Sequence, residues 1–215
     1  MEYGIAIVAV FLLLIAYVIL QETRAQMHWR KLVAEGNVDA VRQLLEDEVE
    51  RWHTERVPKG VPALLWHGIQ TVELIDVRPD AARLNCSAEA EYQLVQGRRV
   101  ETSSPLAEAK KITMKLADMV LYEVPNVKLA RVQIDVYTSF RDEVGHSEPR
   151  CILSTIVERK DVEDLDWEGI TPEEFVARTR GRFAVSGNGA VHPVEPLPWE
   201  GGATAADTSP GKQEG

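Results

Sequence analysis

Residues 3–20 read YGIAIVAVFLLLIAYVIL, an unbroken apolar run with no charged residue inside it. Eighteen residues at ~1.5 Å each reach the lower end of what crosses a ~30 Å hydrocarbon core. A core helix of a water-soluble domain carries a polar stripe, and this run carries none. A cleaved leader needs a basic start and a small-x-small site. This chain starts Met1-Glu2, and Thr23-Arg24-Ala25 places a bulky residue in the middle of the only site on offer. The expectation is a single-pass anchor, held by membrane lipid through residues 3–20.

Flanking charge orients the anchor. Arg24, Arg30 and Lys31 follow the run, while only Glu2 and the terminal amine precede it. Lys and Arg stay on the cytoplasmic side, so everything after Leu20 is expected in the cytoplasm. Tyr3, Tyr17 and Trp29 stand near the two interfaces, where amphipathic rings settle. The formal charge of −10 repels phosphate backbones and argues against general nucleic-acid binding. The two cysteines, Cys86 and Cys151, sit in strand-like runs and read as buried thiols in a reducing compartment. With five scattered histidines and no Cys-x-x-Cys, the sequence offers no zinc set, and no metal or cofactor is expected.

The remaining pattern is α+β. After Gly36, Asn37 is a good N-cap, and Val38, Val41, Leu44, Leu45, Val49 and Trp52 form one helical stripe. Residues 21–57 are therefore expected as an amphipathic helical stalk whose stripe packs on its own domain or pairs between copies. Gly68–Val77 reads as a strand ended by Arg78-Pro79-Asp80. Leu84, Cys86, Ala88, Ala90, Tyr92 and Leu94 alternate with polar residues, which predicts one long strand with a wet face. Ser104-Pro105 opens a helix that Val124-Pro125 closes. Val132–Arg141 and Arg150–Arg159 read as a hairpin of two long strands, and Thr171-Pro172-Glu173-Glu174 as a capping box. The expected architecture is a mostly antiparallel sheet on one or two helices, spanning 58–182. From 183 to 215, glycine, proline and small polar residues predict a disordered tail. Within it, Val194–Trp199 reads either as a short extended docking segment or as tail with one exposed tryptophan.

The candidate chemistry is acidic. Asp76, Glu89 and Glu91 are the candidate catalytic residues, and Pro79-Asp80 followed by Glu89-Ala90-Glu91 resembles the acidic signature of metal-dependent nucleases. In that signature a lysine follows the last acid, and here Glu91 takes its place. A strand face of Glu, Gln, Asn and Arg is also what solvent alone selects. No nucleophile elbow, Walker loop or dinucleotide fingerprint occurs. These features favour a non-catalytic interaction or scaffolding module with a protein partner. A magnesium-dependent phosphodiesterase and a self-associating structural protein are the alternatives.

Overall fold

The structure is a computed structural model and describes residues 14, 15, 17, 21, 31–33, 35–141 and 145–199. The expected anchor falls largely outside them. Leu14, Ile15 and Tyr17 are helical and exposed. Among the described residues no helix is long and apolar enough to cross a membrane.

The first helix of the α+β unit, α1 (Val38–Thr54), starts where Asn37 accepts the Ala40 N–H at 3.1 Å. Its stripe residues Val41, Leu45, Val49 and Trp52 are buried in the main core. The expected stalk is thus part of the domain from Asn37 onward, because this face is closed against the chain's own sheet and helices rather than left for a second copy. A short helix α2 (Ala63–Ile69) leads into β1 (Glu73–Val77) and β2 (Ala81–Ser87). Next come β3 (Glu91–Val95), β4 (Arg98–Ser103) and α3 (Pro105–Asp118), which continues as a π-helical turn over Met119–Glu123. The rest comprises β5 (Arg131–Arg141), β6 (Ser147–Glu158), α4 (Arg159–Val162), α5 (Pro172–Arg178), β7 (Arg180–Val185) and β8 (Val191–His192).

Six strands form one sheet in the order β1-β2-β5-β6-β7-β8, and β3-β4 form a separate two-stranded ribbon. The β2–β5 pair is parallel and the other pairs are antiparallel. Ala82, Leu84 and Cys86 pair with Val132, Ile134 and Val136, so these residues share the face packed on α3. From α3, Leu106, Ala109, Ile112 and Leu116 fill that layer. Its first turn is held by the Ser104 hydroxyl, which accepts the Ala107 N–H at 3.2 Å. Phe175 of α5 closes the far side, after a capping box between Thr171 and Glu174.

Two expectations change. The single strand expected across 83–94 is broken at Ala88–Ala90. Its partner β1 gives out at Glu73, opposite Asn85, and the Ser87 N–H is taken by the Thr71 hydroxyl at 2.8 Å. With no ladder left on that side, the chain leaves the sheet and turns on itself. Gln96 and Gly97, at φ 52° and 78°, make the tight turn of the β3-β4 ribbon.

Second, residues 183–199 of the expected tail are held against the domain. Phe183 lies inside β7, which pairs with β6 and β8, and Ser186–Gly189 form the connecting turn. The chain then runs extended across the sheet to Trp199, while residues 200–215 lie outside the described residues. The polar side of β5 is buried as well. Gln133 is 0 % and Asp135 1 % exposed. The segment from Pro193 to Trp199 covers them.

Candidate functional site

The site is the sheet face opposite α3. Register places Asp76 beside Arg83, Arg83 beside Gln133, and Asn85 beside Asp135. Across β5–β6, Asp135 faces Ser154. Alternation therefore gathers one polar patch from four strands, directly under the C-terminal strap of residues 193–199.

Asp135 is the centre of this patch. The Arg83 guanidinium approaches Oδ2 with Nη2 at 2.7 Å and Nε at 2.8 Å. The Ser154 hydroxyl donates to Oδ1 at 2.5 Å, and Gln133 Nε2 lies 3.2 and 3.3 Å from the two oxygens. A carboxylate removed from water needs this much compensation. The same groups then reach outward. Ser154 Oγ accepts the Leu197 N–H at 2.8 Å, and Gln133 Nε2 donates to the Leu197 carbonyl at 2.9 Å. Both main-chain groups of Leu197 are thus bound by buried side chains.

The contacts continue along the strap. Val194 N–H donates to the Cys151 carbonyl at 2.9 Å, and Arg182 Nη1 to the Glu195 carbonyl at 3.1 Å. At the end of the strap, Trp199 Nε1 donates to Asp76 Oδ2 at 2.7 Å, and the Arg78 guanidinium sits 4.5 Å from its ring centroid. Three of the seven strap residues are proline. Proline lacks an N–H and limits backbone freedom, so the strap brings few donors and loses less entropy on ordering.

The candidate carboxylates are not brought together. Asp76 is the penultimate residue of β1 and is engaged by Arg42 at 3.2 Å, the Val77 N–H at 2.9 Å and Trp199. Burial raises its carboxyl, but the bonds from Trp199, Val77 and Arg42 outweigh that and hold it below its ordinary value. Glu89 lies past the end of β2, beyond Ser87, which stands four residues from the Arg83 that pairs with Asp76. Four residues of strand span about 13 Å. Glu91 opens β3 opposite Ser103, on the separate ribbon. Glu89 lines a cleft of about 440 Å³ with Tyr92, Arg99, Tyr137 and Arg141. Asp76 and Glu91 do not line it. Among the described residues no group of three or more His, Cys, Asp or Glu side chains is placed to hold a metal ion.

Both cysteines are buried and unpaired. Burial and the neighbouring Asp135 carboxylate push the Cys151 thiol up to about 12, and the same causes raise Cys86 further.

Sequence reasoning did not single out Arg83, Gln133, Asp135, Ser154 or Arg182. Their alternation marks them as one face, but alternation carries no sign of what covers it. The available signal was the proline-rich run ending in Trp199. No family model, curated protein or solved structure matches the chain.

Proposed function

We propose that the chain is a non-catalytic interaction module, held at a membrane by residues 3–20 with its α+β domain on the cytoplasmic side. The observation that supports it is the treatment of Leu197, whose N–H and C=O are both bound by side chains rising from a sheet face. Side chains that bind main chain accept an extended polypeptide with little regard to its side-chain sequence, which is the chemistry of peptide docking. Asp76 serves here as an acceptor for an indole. The anchor concentrates the domain at one surface and raises the local concentration of anything held there.

Two measurements test this reading. The full chain should stay in the membrane pellet through an alkaline carbonate wash, and a reporter fused after Gly215 should be active only in the cytoplasm. Release by the wash, or a reporter active only outside, would remove the membrane half. For the module half, a photo-crosslinking residue replacing the exposed Pro198 should yield a discrete adduct with a second protein in intact cells. That adduct should weaken when Ser154 and Gln133 are changed to alanine. A turnover activity lost in Glu89→Gln would replace the module with an enzyme.

Self-association is the second reading, and the β3-β4 ribbon favours it. Tyr92, Leu94, Val95 and Val100 are exposed on a ribbon that, among the described residues, pairs only with itself, and Leu94 is 80 % exposed. Exposed apolar side chains on an open strand edge are what edge pairing uses. Sedimentation of Leu94→Asp beside the parent chain decides it, since only an assembly built on the ribbon loses mass.

A further inference from the structure

We propose that the 193–199 strap is a resident ligand of the polar sheet face, displaced by a partner protein's extended, proline-bearing segment that carries an aromatic side chain two residues after an apolar one. This rests on the module reading and names its partner chemistry and its regulation.

The strap itself shows what the seat accepts. One residue has both main-chain groups bound, by Ser154 and Gln133. Two positions later an indole lies beside Arg78 and donates to Asp76. Prolines at 196 and 198 flank the bound residue. The hydrogen bonds from Ser154, Gln133, Cys151 and Arg182 all go to the strap's main chain, so a segment from another protein with the same spacing can make the same bonds.

The contact is also suited to release. Beneath the strap lie Arg83, Gln133, Asp135 and Ser154, with Cys151 and Ile156 beside them, while the main apolar core is on the other face. Lifting the strap wets the polar groups of this face, which water solvates well. The resident segment does not exhaust the seat either. Gln133 Oε1 is buried and accepts no hydrogen bond. A partner segment that brings a donor to this oxygen binds better than the resident one.

A tethered segment competes at an effective concentration of order mM, so a free peptide registers only when the tether's hold is weakened. The test uses the full chain in detergent with Leu197→Pro and Trp199→Ala, which remove the N–H to Ser154 and the indole. Opening is followed by alkylation of Cys151, whose carbonyl holds the Val194 N–H. Alkylation should run at least tenfold faster than in the parent chain. The probe is a fluorescein-labelled peptide of sequence Pro-Val-Glu-Pro-Leu-Pro-Trp. It should bind the opened variant at least tenfold tighter than the parent chain. Changing its terminal tryptophan to alanine, or adding Ser154→Ala to the protein, should weaken binding about tenfold.

An opened variant that alkylates quickly but ignores the peptide overturns the proposal, and the crosslinking of the parent module can still succeed. A variant whose Cys151 stays protected overturns it too, because the strap is then a fixed part of the fold. Parent chains that dimerise by exchanging Trp199 between copies assign the seat to a second copy and overturn it as well.

Discussion

The Trp199 indole donates to Asp76 across 2.7 Å and joins residues 123 positions apart. This bond ties the last described residue to the first strand of the sheet. It is also one of the bonds that keep the Asp76 carboxyl below its ordinary value of 3.8 against the opposing effect of burial. A carboxylate depressed on folding contributes stability above the unfolded value, and that contribution is lost as pH falls through the folded value. The strap contact is therefore intact at neutral pH and loosens only in acid below about 3.8. Trp199→Phe keeps a ring beside Arg78 but removes the donor. The expected result is a rise in the Asp76 pKa, read by carboxyl NMR titration. An unchanged titration would show that the indole is not the partner.

Asp135 gives the second prediction. It is buried, and Arg83, Ser154 and Gln133 all point at it. Asp135→Ala leaves a half-buried guanidinium without its counter-charge, and breaking such a pair costs about 3–5 kcal/mol. The loss should appear in the urea midpoint. Part of the Arg83 side chain reaches solvent, so the lower end of that range is expected. A loss under about 1 kcal/mol would mean the cluster is hydrated in solution.

Gly68 gives the third. A Cβ there would lie 2.2 Å from Ile112 Cδ1 and 3.1 Å from the Ser87 carbonyl, where α2 crosses α3 and the end of β2. Gly68→Ala is expected to cost about 1–3 kcal/mol by overpacking. Ile112→Val removes the Cδ1 methyl, so the double variant should be destabilised by less than the sum of the singles. Strict additivity would place the cost in the backbone instead.

The buried thiols give the fourth. Cys151 is pushed up to about 12 from an ordinary 9.0, and Cys86 is raised further. An acid whose folded value is raised stabilises the fold fully below the unfolded value. That contribution declines as pH rises above about 9 toward the folded value, because only the unfolded chain ionises there. Urea midpoints taken at pH 8 and pH 10 should therefore fall more steeply for the parent chain than for Cys86→Ala/Cys151→Ala. Equal slopes would show that neither thiol is buried in solution.

Much of the architecture was legible because single strong signals fix it. Asn37, Ser104 and Thr171 start their helices where capping chemistry places them. The long β5–β6 pair follows from two runs of alternation around one loop, of which residues 142–144 lie outside the described residues. What failed was anything depending on a partner far along the chain. Period-two alternation runs on past Ser87, but a strand lasts only as long as its neighbour, and β1 stops at Glu73. Composition marked Pro193–Trp199 as unable to bury enough apolar area to order itself. It is ordered instead by hydrogen bonds to Ser154, Gln133, Arg182 and Asp76, which composition does not register. The acidic candidates failed to converge because Asp76 and Glu89 lie toward opposite ends of β2, a separation that spacing in sequence does not reveal.

Amide hydrogen exchange at Leu197 tests most directly whether the polar sheet face seats an extended chain. Its N–H is the one held by the Ser154 hydroxyl. Slow exchange is expected in the parent chain, with loss of that protection in Ser154→Ala while core amides such as Ile134 and Leu153 keep theirs. Exchange of Leu197 at the rate of an unstructured peptide in the parent chain would contradict the seat, and with it the docking function proposed for this face.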